Sequence, residues 1–72
     1  LMERVNVLGT INLGSKDYAF LYGPQGTLLR LSIPANVLKK SKMHEWDEVA
    51  LTGHLNGDHI FIVEEIRPVS KD

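Results

Sequence analysis

From Arg4 to Leu13 the chain alternates, and that alternation limits its folding choices more than any other feature. Val5, Val7, Gly9, Ile11 and Leu13 fall on one face, and Arg4, Asn6, Thr10 and Asn12 mostly on the other. A period of two with β-branched residues suits a half-buried strand, whereas a helix needs a period near 3.6. Punctuation reinforces the pattern. Gly9, Gly14, Gly23-Pro24, Gly26, Pro34, Asn56-Gly57 and Pro68 cut the chain into pieces of strand length, with one exception. Gly9 in mid-strand predicts a bulge or a sharp bend. Asn12 to Asp17 reads as a polar turn around Gly14-Ser15.

A second strand is expected over Tyr18 to Tyr22, ending in the turn Gly23-Pro24-Gln25-Gly26. A third runs from Thr27 to Ile33, with Leu29, Leu31 and Ile33 on one side and Leu28, Arg30 and Ser32 on the other. Pro34 then breaks the sheet and suits the first position of a helix, where no backbone donor is needed. Pro34 to His44 is the exception, a helical stretch with Val37, Leu38 and Met43 as inward candidates. Lys39, Lys40 and Lys42 near its end complement the helix dipole. The last two strands, Glu48 to Leu55 and Asp58 to Pro68, flank Asn56-Gly57, the strongest short-range hairpin signal. A two-residue turn sets Leu55 opposite Asp58, His54 opposite His59, Thr52 opposite Phe61 and Ala50 opposite Val63. Val49, Leu51, Gly53, Ile60, Ile62 and Ile66 then form the core face, and Trp46 plugs the bottom of the sheet. Ser70-Lys71-Asp72 is expected to fray.

The chain's 72 residues allow a single domain, 1–72, and a domain this small has a thin stability margin. It has no cysteine, so disulfides, thiolate chemistry and cysteine-ligated zinc are excluded. A formal net charge of −1 argues against a dedicated duplex-DNA binder, which is usually basic. No apolar run reaches the roughly 18 residues of a membrane helix, and no signal peptide is visible. The chain begins Leu1-Met2, which reads as a mature fragment or a domain of something longer. The expected compartment is the cytoplasm, or the periplasm if a signal peptide precedes Leu1.

The expected order of elements is strand, strand, strand, helix, strand, strand. With Val5-x-Val7-x-Gly9-x-Ile11, an aromatic second strand, a glycine turn, and Asp47-Glu48-Val49-x-Leu51-x-Gly53 leading to Ile60-x-Ile62-x-x-x-Ile66, this resembles the OB-fold. That fold is an all-β, five-stranded Greek-key barrel with one short helix between strands 3 and 4. The chain is similar to small OB modules related to the anticodon-binding domain of aminoacyl-tRNA synthetases and to the small subunit of replication protein A. It also resembles bacterial periplasmic OB proteins with a "G-x-I … Y-x-F … G" pattern. Where those groups usually carry "R-D-x-x-G", this chain reads Tyr22-Gly23-Pro24-Gln25-Gly26. An SH3-like barrel is the alternative, but it offers no natural place for a helix before the last hairpin.

Tyr18, Phe20 and Tyr22 share one face of the second strand. The resemblance implies that they form an outward platform for stacking bases of single-stranded DNA or RNA, with Arg30, Lys39 and Lys40 contacting phosphates. The competing reading turns Phe20 inward, leaving Tyr18 and Tyr22 to flank the core. Lys16, Lys42 and Arg67 are further cations, though six nearby acidic residues and two short loops weaken any electrostatic grip. His54, Asp58 and His59 cluster at the hairpin, but two imidazoles on an exposed turn are not a metal site. Phe61 and Val63 are expected to form an outward apolar strip able to meet a protein partner. No nucleophile elbow, phosphate-cradling loop or paired carboxylates appear, so neither enzyme activity nor a cofactor is expected. The leading expectation is an OB-type module for single-stranded nucleic acid. The alternatives are a protein-interaction OB subunit of a larger complex and a periplasmic stress-type OB protein.

Overall fold

The computed structural model describes residues 3–14 and 18–69. Leu1-Met2, the turn residues Ser15, Lys16 and Asp17, and the tail Ser70-Lys71-Asp72 lie outside the described residues. Five strands form one sheet that closes on itself: β1 (Val5–Asn12), β2 (Ala19–Tyr22), β3 (Leu28–Ser32), β4 (Glu48–Leu55) and β5 (Phe61–Pro68). The spatial order is β1-β2-β3-β5-β4, with β4 returning to β1. All pairings are antiparallel except β3 with β5, whose short parallel contact at Leu31↔Phe61 and Ser32↔Ile62 closes the ring. Closure removes most of the unpaired backbone that so short a chain would otherwise expose.

β1 serves two partners. Val5 to Thr10 pair with β4, and Thr10 to Asn12 with β2, so the strand changes neighbours at Thr10. Gly9 precedes that handover, and the register runs through it without the expected bulge, Leu8, Gly9 and Thr10 pairing in turn with Ala50, Val49 and Glu48. A Cβ on Gly9 would lie 2.7 Å from the Tyr22 carbonyl oxygen and 2.8 Å from Leu21 Cγ, so the missing side chain is what admits Leu21. Ile11, Leu21, Leu31, Val49, Leu51, Phe61, Val63 and Ile66, with Ala19, fill the interior. Among the described residues every buried side chain is apolar. The β2–β3 turn uses Gln25 and Gly26 at φ 64° and 78°, a pair of left-handed residues that matches the twist of a tight hairpin.

The helix α1 (Ala35–Lys40) is shorter than the expected Pro34 to His44. Pro34 sits just before it, and its carbonyl accepts hydrogen bonds from the Val37 and Leu38 amides, both at 3.0 Å. Ser41 ends it by donating from its amide to the Val37 carbonyl (3.2 Å) and from its hydroxyl to the Leu38 carbonyl (2.9 Å). That hydroxyl competes with a further helical turn for the free carbonyls. Val37 and Met43 pack on the core as expected; Leu38 is exposed.

The last hairpin departs most from expectation. Leu55 pairs with Phe61, not Asp58, so five residues, 56–60, make the connection. The reason lies in Asn56. Its side-chain Oδ1 accepts from the amides of Asp58 (2.9 Å) and Ile60 (3.0 Å), and its own amide donates to the Ile60 carbonyl (2.9 Å). Positive φ falls on His59 (63°) and not on Gly57. This is a three-residue turn with a left-handed third residue, the next commonest hairpin after the two-residue one. The register moves by an odd number, which exchanges the faces of β5. Phe61 and Val63, expected outside, are 1% and 0% exposed, while Ile60 and Ile62, expected inside, are only half-buried. The apolar strip proposed for a partner is therefore part of the core. His54 lies opposite Ile62, not His59.

A second irregularity restores the phase. Gly53 pairs with Val63 but Thr52 with Glu65, leaving Glu64 as an extra residue in β5. Such a bulge bends the strand and lets Ile66 face inward three positions after Val63. Gly53 is obligatory here: a Cβ would lie 2.0 Å from the Ile62 carbonyl oxygen and 2.9 Å from Phe61 Cε2.

Candidate functional site

The outer face of β2 carries the aromatic residues. Ala19 and Leu21 point inward, at 7% and 3% exposure, and leave Tyr18 (39%), Phe20 (half-buried) and Tyr22 (40%) outside. Packing dictates that choice. Leu21 occupies the space Gly9 leaves, and small Ala19 sits opposite fully buried Leu31. With β2 at this phase Phe20 cannot enter the core, and the alternative inward reading falls. Tyr18 immediately precedes β2, and along an extended strand the Cα atoms of alternate residues lie about 6.7 Å apart.

Arg30 on β3 stands opposite Phe20, and its guanidinium lies 4.9 Å from the centroid of the Tyr18 ring. A cation over an aromatic face is attracted by the ring quadrupole and keeps its charge at the surface. Tyr18, Phe20, Tyr22 and Arg30 are therefore one patch. Lys39 and Lys40 are not brought to it. They ride on α1, which packs against β5, and Lys40 lines a shallow groove there with Glu64, Glu65 and Ile66. Lys16 lies outside the described residues.

A residue expected in the core joins the patch instead. Trp46 is 57% exposed, and its ring centroid lies 5.8 Å from that of Tyr22, tilted by 36°. It sits third in a four-residue turn, His44 to Asp47, closed by the Asp47 amide donating to the His44 carbonyl at 3.1 Å. Its φ is 69°, a conformation in which glycine or asparagine is favoured. The turn is fastened to β1 from both sides. The Trp46 amide donates to the Ile11 carbonyl (2.7 Å) and the Ile11 amide to the Asp47 carbonyl (2.9 Å). The Glu45 carboxylate accepts from the Leu13 amide, and Asp47 Oδ2 from the His44 amide at 2.7 Å. Nothing local in the sequence signals this placement, because a tryptophan in a left-handed turn runs against propensity.

The opposite face is polar. The Glu64 carboxylate bridges Arg4 Nε (2.7 Å) and His54 Nδ1 (2.8 Å), and the Thr52 hydroxyl donates to Asn6 Oδ1 at 2.7 Å. Such solvated pairs contribute little to stability. Among the described residues no group of three or more His, Cys, Asp or Glu is placed to hold a metal ion. No helix among them is long and apolar enough to cross a membrane. No protein-family model matches the chain, and neither a curated protein nor a solved structure matches it significantly.

Proposed function

We propose that this chain is an OB-type binding module whose outer β2–β3 face takes single-stranded nucleic acid. The observation that carries the reading is the outward row Tyr18, Phe20 and Tyr22 with Arg30 held over its first ring. Three flat rings at strand spacing offer stacking surface to successive bases, and stacking tolerates any base. Support for the OB assignment comes from the closed order β1-β2-β3-β5-β4 and from the helix between β3 and β4. The near-neutral charge fits modest, sequence-tolerant binding in which stacking outweighs phosphate contacts.

Fluorescence anisotropy with short labelled single strands at two salt concentrations tests this. Each stacked base is worth about 1–3 kcal/mol, so Phe20→Ala should weaken binding about 5- to 150-fold. With Arg30 as the main phosphate contact, the slope of log affinity on log salt should be shallow, near −0.7 for one contact to a single strand. Absence of salt-dependent binding at high micromolar protein sinks the proposal. A protein-interaction role is the second reading, favoured by the exposed side chains of Leu28, opposite Tyr22, and Leu8, which lines a shallow groove with Tyr22. Concentration-dependent sizing and pull-down separate it from the first.

A further inference from the structure

One edge of the sheet is left open. β1 pairs with β4 from Val5 to Thr10, but β2 meets it only from Thr10 to Asn12. Among the described residues, no strand pairs with the other side of Val5 to Gly9. The cause is Pro24. Extending the register Thr10↔Tyr22 by two residues sets Leu8 opposite Pro24, which has no amide to donate. The Pro24 carbonyl is turned into its own hairpin, where it accepts from the Thr27 amide (3.4 Å) and hydroxyl (3.1 Å).

Ile11 shows which backbone groups are left. Its amide donates to the Asp47 carbonyl and its carbonyl accepts from the Trp46 amide, so both point to the β4 side. Backbone groups alternate sides along a strand, and β1 has no register shift from Val5 to Thr10. Val7 and Gly9 therefore also face β4, while Asn6 and Leu8 direct amide and carbonyl to the open side. Proteins usually guard such an edge with lysine, proline or a bulge. Val5-Asn6-Val7-Leu8-Gly9 has none of these, and Leu8 is 61% exposed. The gap beside it is lined by Val7, Leu8, Leu21, Pro24, Leu28 and Leu29.

We propose that this edge pairs with the same edge of a second copy of the chain. The open stretch, Val5 to Gly9, is centred on Val7. Laid antiparallel on itself about a two-fold axis at Val7, it sets Asn6 of each copy opposite Leu8 of the other. These are the positions with outward amides and carbonyls, so the pairing uses every group left open at them. The two Val7 side chains meet across the axis on the inner side and cover the gap above Leu21 and Leu29. Charge agrees with this register. Arg4 of each copy comes to Thr10 of the other, whose cross-strand row ends in exposed Glu48. The Arg4 Nε holds Glu64, and its terminal amino groups remain for a second carboxylate. Pairing is confined to Val5–Gly9, beyond the Tyr22 end of the ring row, and neither needs nor excludes the single-strand reading.

So short a contact falls well below the roughly 800 Å² per partner of a standard interface, so the dimer should be weak. Sedimentation of the full chain from about 10 μM to about 1 mM should show the apparent mass rising toward double. Hydrogen exchange followed by NMR reads the register. The Asn6 and Leu8 amides should be unprotected in dilute solution and slow by about tenfold at the highest concentration, with Val7 and Gly9 protected throughout. Leu8→Pro removes an outward amide without touching the β4 ladder, and Leu8→Lys charges the edge. Each should hold the chain monomeric at the highest concentration with its circular dichroism unchanged. A chain that stays monomeric over the whole range overturns the proposal. So does a dimer whose Asn6 and Leu8 amides remain unprotected, or one that Leu8→Lys leaves intact. Should Leu8→Pro fail to fold, Leu8→Lys and the exchange rates decide.

Discussion

Phe61→Ala and Ile62→Ala form a pair whose relative cost reads the register of the last hairpin directly. The two residues are adjacent, so their order of importance depends only on which one faces inward. Phe61 is 1% exposed, its ring lies against the bare Cα of Gly53, and it pairs with both Leu31 and Leu55. Truncating a buried phenylalanine costs about 3–5 kcal/mol, from lost burial and from the cavity left behind. A domain of 72 residues has a total stability of about 4–11 kcal/mol at 0.05–0.15 kcal/mol per residue. The substitution therefore removes a large share of it. Ile62 is half-buried on the outer face, and its truncation should cost about 1–2 kcal/mol. In urea, with m near 1 kcal/mol/M for so small a protein, Phe61→Ala should lower the midpoint by about 3 M or leave the chain unfolded. Ile62→Ala should lower it by about 1–2 M. Circular dichroism at matched concentrations gives both values. A larger loss for Ile62→Ala would refute the five-residue connection and restore the two-residue turn.

Three further outcomes follow from backbone geometry. His59→Gly removes a left-handed penalty of about 1–2 kcal/mol and adds roughly 0.5–1 kcal/mol of chain entropy. Its melting temperature should therefore rise by a few degrees, at about 4–8 °C per kcal/mol, and a fall would contradict the turn described. Gly53→Ala places Cβ against the Ile62 carbonyl and should cost about 3 kcal/mol or more, whereas Gly57→Ala, with open space around it, should stay within about 0.5 kcal/mol of wild type. Chemical denaturation distinguishes the two glycines. Trp46→Gly and Trp46→Ala lose the same ring, so the glycine variant should be the more stable by about 1 kcal/mol; equal stabilities would show that φ at position 46 carries no strain.

Non-glycine residues in left-handed conformation occur at Gln25, Trp46 and His59, each in a connection between elements. Gln25 and His59 belong to hairpins whose strands demand that twist. Trp46 stands apart, because its turn follows a helix and a coil segment and because its side chain lies beside the ring row. Strain there coincides with the surface proposed for binding, where it fixes the direction of an exposed indole.

The sequence alone determined the strands, their order and most of the interior. Alternation in β1, β3 and β4 assigns faces locally, and Gly, Pro and Asn-Gly steps mark the turns whatever the rest of the chain does. Tyr18, Phe20 and Tyr22 were bound to share a face for the same reason. Which face was settled only in three dimensions, when the space left by Gly9 took in Leu21. The sides of Phe61 and Ile62 depended on Asn56 capping a longer turn, and the return of Ile66 to the core on a bulge at Glu64. Neither leaves a mark in a period-two pattern, because one inserted residue inverts every side chain after it. Trp46 went to the surface because two hydrogen bonds to Ile11, 35 positions away along the chain, fix its turn, and such pairings are decided by closure of the sheet.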